Sequence, residues 1–208
     1  MIVLEHWLLT PYRLAVHLPT RTAVLADLHL GYHWTRQRAG DAVPLPGLDE
    51  QLAPLAAARK QHSFREVVLA GDVIEKAWDG NWLAEWRRWL DEHDVRIRAV
   101  VPGNHDRQLP EALGPICREP FQLDGWRIVH GDGLVPAGPV VMGHWHPCVR
   151  RRGRKLPCYL VGAESLVLPA FSAEAAGADV AREERWRGWQ AWAISGGRVV
   201  EAGKPLRS

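Results

Sequence analysis

The residues of this chain best suited to chemistry are carboxylate, amide and imidazole side chains that fall in five short motifs. In chain order the motifs are Asp27-Leu28-His29, Gly71-Asp72, Gly103-Asn104-His105-Asp106, Val129-His130-Gly131 and Gly143-His144-Trp145-His146. Seven side chains in them can bind a metal ion: Asp27, His29, Asp72, Asn104, His130, His144 and His146. Such a set is too large for one ion and suits two ions that share a carboxylate. The motifs therefore predict a two-metal site.

The predicted chemistry is hydrolysis of a phosphate ester. Two divalent cations about 3.5–4 Å apart can hold the attacking and leaving oxygens of an in-line displacement at phosphorus. Asp72 is the best bridging carboxylate, because it stands alone after a glycine. His105 is surplus to the metal ligands, and its imidazole can donate a proton to the leaving oxygen. Mixed nitrogen and oxygen ligands favour Mn²⁺, with Fe, Co, Ni or Zn as alternatives.

Strands must position these motifs. Each motif follows an apolar, β-branched run, and such runs are typical of buried strands. The runs span residues 22–26, 67–70, 97–101, 126–129 and 140–142. In layered α/β folds, sites collect at one end of the strands. We therefore expect the five motifs to meet at one edge of a sheet.

Helical patterns lie between the motifs, over residues 48–62 and 81–93. Tryptophans recur at helical spacing around the second: Trp78, Trp82, Trp86 and Trp89. A core-facing stripe is the favoured interpretation, and a base-stacking surface is the alternative. Further strands are predicted over residues 1–5, 14–18, 159–162, 189–194 and 198–201.

Length and composition indicate one domain over residues 1–208. The chain is 47% hydrophobic, enough to bury a core without disulfides. Its net charge of +2 excludes a general polyanion binder by charge alone. No apolar run is long enough to cross a membrane. Cys117, Cys148 and Cys158 are odd in number and widely spaced, which predicts reduced thiols and a cytoplasmic location.

The five motifs resemble those of the calcineurin-like metallophosphoesterase superfamily, from Asp27 to His146. That family's pattern is Asp-x-His, Gly-Asp, Gly-Asn-His-Asp or Glu, His, and Gly-His-x-His. The resemblance implies an α/β fold, a four-layer sandwich of two facing mixed β-sheets flanked by helices. It implies a catalytic His105, with Asp106 orienting His105 or its backbone. The implied ligands are Asp27, His29, Asp72 and His146 for one ion, and Asp72, Asn104, His130 and His144 for the other.

A narrower resemblance adds an expectation about the substrate. The segments that carry it are Leu28-His29-Leu30-Gly31, Arg38-Ala39-Gly40, Pro44-Leu45-Pro46-Gly47 and Gly143-His144-Trp145-His146-Pro147. They are similar to the small ICC-like phosphoesterases that include the DNA-ligase-associated DNA endonucleases. This implies cleavage of single-stranded DNA in DNA repair, with a DNA ligase and a helicase as possible partners. Glu75 stands where related proteins often carry Asp or His, which affects the surroundings of the metal site.

Positive charge near the motifs also favours a nucleic-acid substrate. A basic cluster, residues 150–155, follows the last motif and holds Arg150, Arg151 and Arg152. Such cations can follow a phosphate backbone, and the alternative is a solvated hairpin turn. Other candidate substrate-binding residues lie beside the ligand loops: Arg36, Arg38, Arg107 and, for base stacking, Trp34.

Other functions remain open on the same motifs. The alternative substrates are a cyclic nucleotide, a nucleotide-lipid pyrophosphate and a phosphomonoester. A non-catalytic scaffold of the same fold is a remote alternative, because such proteins lose metal ligands or the catalytic histidine. All seven ligands and His105 are kept here.

Overall fold

The computed structural model describes residues 1–75, 81–175 and 177–203, and within them the chain forms two mixed β-sheets and four α-helices. The first sheet contains, in spatial order, β1 (Ile2–Val3), β2 (Trp7–Leu9), β3 (Ala15–His17), β4 (Thr22–Leu25), β5 (Glu66–Ala70) and β6 (Arg96–Val101). Strands β1 to β4 pair antiparallel, whereas β4, β5 and β6 run parallel. The carboxyl ends of β4, β5 and β6 therefore share one edge.

The second sheet is built from the remainder of the chain. Its strands are β7 (Phe121–Leu123), β8 (Trp126–Val129), β9 (Val140–Met142), β10 (Pro147–Arg151), β11 (Arg154–Val161), β12 (Ser165–Val167), β13 (Ala178–Asp179), β14 (Gln190–Ser195) and β15 (Arg198–Gly203). Strands β8, β9 and β12 run parallel to one another. Strands β10 and β11 form an antiparallel hairpin, and β14 and β15 extend the sheet from β11.

The helices agree in part with the sequence patterns. They are α1 (Tyr32–Arg38), α2 (Leu48–His62), α3 (Trp82–Glu92) and α4 (Leu109–Leu113). The bounds predicted for α2 are confirmed, and α3 begins one residue later and ends one residue earlier than predicted. Helix α1 was not predicted, because it buries no residue and so carries no apolar stripe.

The core explains why the sheets face each other. Successive strand residues point to opposite faces, so Val24 packs between the sheets while Leu25 packs on the outer face of the first sheet. That outer face is covered by α2 and α3. The outer face of the second sheet is covered by short 3₁₀ turns around Val180 and Trp186. The predicted fold class, two facing mixed sheets flanked by helices, is confirmed.

The tryptophan stripe is part of this core. Trp86 and Trp89 are 2% and 4% exposed, and Trp82 packs partly against the same cluster. The core-facing interpretation is thus confirmed for the tryptophans of α3, while Trp78 lies outside the described residues. Among the described helices, none has the length and apolarity needed to cross a bilayer.

Candidate metal centre

All five motifs lie where a strand ends, as the apolar runs predicted. Asp27, Asp72 and Asn104 follow β4, β5 and β6 of the first sheet. His130 and His144 follow β8 and β9 of the second sheet. Backbone hydrogen bonds join neighbouring motifs, because the Asp27 N–H donates to the Gly71 carbonyl at 3.0 Å and the Gly143 N–H donates to the His130 carbonyl at 2.9 Å. The expectation that all five motifs meet at the edge of a single sheet is therefore wrong, because two facing sheets present their motifs to a common site.

One group of side chains gathers around Asp27. Asp27, His29 and His146 each offer a ligand atom within 4.8 Å of the other two. The Nε2 atoms of His29 and His146 lie 3.5 Å apart. Nε2 of His146 is also 3.5 Å from Oδ1 of Asp27. Asp27 is fully buried, and both its oxygens accept the backbone N–H of His144, at 3.1 and 3.0 Å.

A second group gathers around His130. Asp72, His130 and His144 also offer ligand atoms within 4.8 Å of one another. Nε2 of His130 lies 3.2 Å from Oδ1 of Asn104, 3.2 Å from Nδ1 of His144 and 3.4 Å from Oδ2 of Asp72. The structure therefore brings Asn104 to this group as well, while the bridging role of Asp72 stays a prediction.

This donor set fits metal ions better than it fits hydrogen bonds. A ring nitrogen can donate only one hydrogen, yet Nε2 of His130 faces a carboxylate oxygen, an amide oxygen and another ring nitrogen. A cation accepts lone pairs from all four atoms at once. The first group has the same character, because two imidazole nitrogens face each other beside a carboxylate. The side chains thus suit two divalent cations.

The electrostatics of the second group point the same way. Burial by itself would lower the pKa of His130, but the hydrogen bond and negative charge of Asp72 raise it to about 9. Burial would likewise raise the pKa of Asp72, but His130 lowers it to about 2. Without metal, the two side chains form a buried ion pair. A divalent cation can replace the His130 proton, because a metal ligand must be deprotonated.

The backbone is strained at most of these side chains. A left-handed φ is uncommon outside glycine, although Asp and His tolerate it better than most residues. Five of the seven candidate ligands adopt one: Asp27 (57°), His29 (47°), Asp72 (47°), His144 (66°) and His146 (41°). Each such residue costs on the order of 1–3 kcal/mol, and such strain concentrates at functional sites. The surrounding structure holds these loops in a conformation that aims the side chains inward.

Two glycines allow the loops to come this close. A Cβ atom on Gly71 would collide with the ring of His130. A Cβ atom on Gly103 would collide with the carboxylate and backbone of Asp72. The Gly71-Asp72 and Gly103-Asn104 motifs therefore need glycine to bring two loops and a ring into contact.

Asp106 holds two of these loops together. Its carboxylate accepts backbone N–H groups from Gly103 at 2.9 Å, Val73 at 3.1 Å and Ile74 at 3.0 Å. Burial raises the pKa of Asp106, although these three hydrogen bonds favour the charged form. Asp106 thus fixes the loop of Asp72 against the loop of Asn104. The predicted bond to the backbone of His105 is not one of these, because the His105 N–H donates to Oδ1 of Asp72 at 3.0 Å, so Asp106 positions the two loops and not His105 directly.

His105 lies beside the first group and is held by Glu75. Nδ1 of His105 is 3.1 Å from Oε2 of Glu75, and Nδ1 of His29 is 2.8 Å from the same oxygen. The side chain of His105 is 31% exposed, so its ring is accessible from the open side of the site. The sequence indicated that Glu75 lies near the metal site but did not predict its contacts with His105 and His29. Its position three residues after Asp72 was the available signal.

Several predicted substrate-binding residues lie elsewhere than expected. Trp34, Arg36 and Arg38 lie on α1 rather than on a loop, because residues 32–38 form about two turns of surface helix. Arg36 forms an ion pair with Asp41, and the guanidinium of Arg38 stacks 4.7 Å above the ring of Trp34. Arg107 is exposed and has no ion-pair partner within the described residues.

The basic cluster forms the tip of the β10–β11 hairpin. Arg150 pairs with Asp179 at 3.3 Å, Arg151 donates to the Ala202 carbonyl at 2.9 Å, and Arg152 is exposed in the turn. Strand β10 begins one residue after His146. At roughly 3.3 Å per residue, the three arginines lie roughly 13–20 Å along the strand from that histidine. They are therefore not part of the metal site.

Arg13 is a cation near the site that the motifs did not reveal. It lines two cavities, one beside His29 and one beside His146. Its Nη1 donates to the carbonyls of Phe171 at 3.3 Å and Ser172 at 2.7 Å. Burial lowers the pKa of this guanidinium. Arg13 precedes β3 and belongs to no motif, so only the folded structure places it here.

Comparisons with known proteins agree with the fold and the motifs. A family model described as calcineurin-like phosphoesterase matches residues 20–135. The crystal structure of the Pseudomonas putida nuclease MPE is similar, with a TM-score of 0.76 and 23% sequence identity. That likeness covers 97% of this chain and 98% of the other, and it shows a shared fold. No curated protein matches the chain significantly.

Proposed function

The chain belongs to the calcineurin-like phosphoesterase family, and from that premise we propose that it is a two-metal phosphodiesterase that cuts single-stranded DNA internally. The family accounts for metal-dependent phosphoester hydrolysis. The gathering of Asp27, His29 and His146 beside Asp72, His130 and His144 is the observation that carries the two-metal centre. The preference for DNA is the finer part of the proposal and rests on charge and shape.

The proposed ligands follow the two groups. Asp27, His29, Asp72 and His146 would hold one ion, and Asp72, Asn104, His130 and His144 would hold the other. When bound, the two ions supply positive charge to the phosphate oxygens and lower the pKa of an attacking water. Mn²⁺ is the metal we expect, because the ligands mix imidazole nitrogen with carboxylate and amide oxygen.

The protein's own groups carry the remaining steps. His105 would protonate the leaving oxygen through Nε2, because Nδ1 is engaged with Glu75. Glu75 keeps the ring from rotating, and it also fixes the orientation of His29. Asp106 keeps the Asp72 and Asn104 loops in register, so the phosphate would meet a preformed set of ligands.

A polymeric substrate suits the open form of this site. Asn104 is exposed, and the side chains of His105 and His146 are 31% and 20% exposed. Arg150, Arg151 and Arg152 lie on the β10–β11 hairpin, which runs outward from His146. The sugar-phosphate backbone of a DNA strand could follow this direction. The structural likeness to a nuclease also supports a nucleic-acid substrate. A duplex should be a poorer substrate, because its stiff backbone bends a phosphate toward the metal edge less easily than a flexible single strand does.

The proposal extends to the biological setting. We place the protein in the cytoplasm as one domain over residues 1–208, with Cys117, Cys148 and Cys158 as free thiols. A role in DNA repair beside a DNA ligase and a helicase follows from the resemblance of the motif segments to ligase-associated endonucleases. Pull-down of the full chain with such a ligase would test that partnership.

The substrate proposal is tested with circular single-stranded DNA. With Mn²⁺ the protein should first linearise the circle and then shorten it, since an endonuclease needs no free end. Relaxed duplex circles serve as the comparison and should be cut more slowly. Linear DNA cut only from its ends would contradict the endonuclease. Intact DNA together with hydrolysis of a cyclic nucleotide, a nucleotide-lipid pyrophosphate or a phosphomonoester would replace the DNA substrate with a small one.

A further inference from the structure

A cavity of about 530 Å³ opens beside the metal centre, on the side of His29. The segment before β3, helices α1 and α2, and the segment 171–174 enclose it. His29 lines it directly, so the cavity starts at a proposed metal ligand and runs outward between α1 and α2. Apart from His29 and its neighbour Leu28, its walls come from outside the metal-binding motifs.

We propose that this cavity binds the nucleobase of the nucleotide next to the scissile phosphate. The inference rests on the proposed function, because it names the part of a DNA strand that the site holds besides phosphorus. The base would sit between α1 and α2 while its phosphate lies at the metal centre.

The walls suit a flat aromatic ring. Besides His29, the rings that line the cavity are those of Tyr12, Tyr32, His33 and Phe171, together with Pro11, Pro46 and Pro54. Aromatic and proline faces are planar and apolar, and stacking on such faces is how proteins hold unpaired bases. Tyr32 and His33 meet edge to face with ring centroids 5.6 Å apart, so two wall surfaces stand at a right angle. That corner offers one face and one edge to a base.

The charged side chains of the lining favour an uncharged base over a phosphate in this cavity. Glu50 and Glu174 lie at the exposed rim, and Nε2 of His33 is 3.9 Å from Oε1 of Glu174. Two carboxylates disfavour an anion in the cavity, whereas an uncharged base is tolerated. Arg13 and Glu174 line both this cavity and the cavity beside His146, where a phosphate would lie, but the first adds a second carboxylate, Glu50, and the second adds another cation, Lys155. The charges thus place the phosphate at the metal side and the base in the cavity.

Polar groups on the walls can read the edge of a base. Nε2 of Gln51 donates to the Pro46 carbonyl at 2.9 Å, while its Oε1 has no hydrogen-bond partner among the described residues. That oxygen can accept an N–H from a base. The hydroxyl of Ser172 accepts the Glu174 N–H at 3.2 Å and keeps its own hydrogen for donation. One acceptor and one donor are enough to orient a heterocycle.

Calorimetry on the full chain with Mn²⁺ bound tests this inference. The ligands are the 3′- and 5′-monophosphates of deoxyadenosine, each compared with the deoxyribose phosphate of the same linkage. At least one nucleotide should bind roughly 10-fold or more tightly than its base-free partner, as stacking of one base predicts. Equal affinities for both pairs would overturn the base site.

A matched pair of variants locates the effect. Ala53 lines the cavity and is exposed on α2, so Ala53→Trp would fill the space without disturbing the core. Ala84 is exposed on α3 and is not part of the lining, so Ala84→Trp is the control. Ala53→Trp should bring the affinity ratio of nucleotide to sugar phosphate close to one, and Ala84→Trp should leave it unchanged. A ratio that survives Ala53→Trp would place the base elsewhere and overturn the assignment.

Failure of the base site and failure of the nuclease proposal would give different results. DNA cleavage with equal binding of nucleotide and sugar phosphate would keep the nuclease and remove the base site. An absence of DNA cleavage, with a ratio that Ala53→Trp abolishes, would keep the base site and make a smaller nucleotide the substrate.

Discussion

Oε2 of Glu75 lies 3.1 Å from Nδ1 of His105, so a carboxylate on the loop of Asp72 holds the ring of the proposed proton donor. The same oxygen is 2.8 Å from Nδ1 of His29. One atom therefore orients both a proposed metal ligand and a proposed general acid. A change at Glu75 should affect proton transfer more than metal content, because Asp27 and His146 remain beside His29.

Glu75→Gln should lower kcat for DNA by roughly 10- to 100-fold, as expected when a group that orients a ligand is lost. The loss should be smaller for bis(4-nitrophenyl) phosphate, whose leaving group needs little protonation. Steady-state kinetics on both substrates, with metal analysis, gives the measurement. Glu85→Gln, at an exposed position of α3, is the control. Equal losses on the two substrates would show that Glu75 acts only through the metal site.

His105→Ala should retain two Mn²⁺ ions and cut DNA roughly 10²–10⁴-fold more slowly. The aryl diester should again suffer less, because its leaving oxygen is stable without a proton. His6→Ala removes an exposed imidazole outside the site and serves as the control. If both substrates slow by the same factor, His105 binds the phosphate and does not act as the acid.

Asp106→Asn should lower the free energy of unfolding by about 2–4 kcal/mol, because an amide cannot accept all three buried backbone N–H groups. Chemical denaturation of the metal-free protein measures this. Asp124→Asn, at a side chain that is 56% exposed in the β7–β8 turn, should change stability little. Two similar values would mean that the loops of Asp72 and Asn104 are held by other contacts.

Replacing Arg150, Arg151 and Arg152 by Ala should raise KM for single-stranded DNA and flatten its salt dependence. Each lost phosphate contact removes about 0.7 from the log–log slope, so three contacts would remove about 2. The control removes three exposed arginines away from the hairpin, Arg87, Arg88 and Arg96, and keeps the net charge equal. An unchanged slope in the hairpin variant would make the cluster a solvated turn.

The sequence predicted the strands that carry the metal motifs because burial on both faces leaves apolar runs, as in β4 and β5. It also gave the bounds of α2, whose Leu52, Leu55 and Ala58 recur at helical spacing. Helix α1 was missed because it has no buried face. Arg13 and the cavity beside His29 arise from contacts between distant segments, since Arg13 meets Phe171 and Ser172. Such contacts leave no local pattern.

The substrate residues show the same limit. A basic cluster is visible in the sequence, but the pairing of Arg150 with Asp179 and the distance of the hairpin from His146 depend on strand direction. The stacking of Arg38 on Trp34 depends on α1. The spacing of residues in the sequence therefore predicted the metal-binding motifs, whereas the positions of the candidate substrate-binding residues depend on the fold.

Anomalous scattering from crystals of the Mn²⁺-loaded protein tests the two-metal centre most directly. Two peaks about 3.5–4 Å apart are expected, one beside Asp27, His29 and His146 and one beside His130 and His144, with Asp72 touching both. Elemental analysis should give two ions per chain. A single peak at saturating Mn²⁺, or two peaks with Asp72 bound to neither, would contradict the centre proposed here.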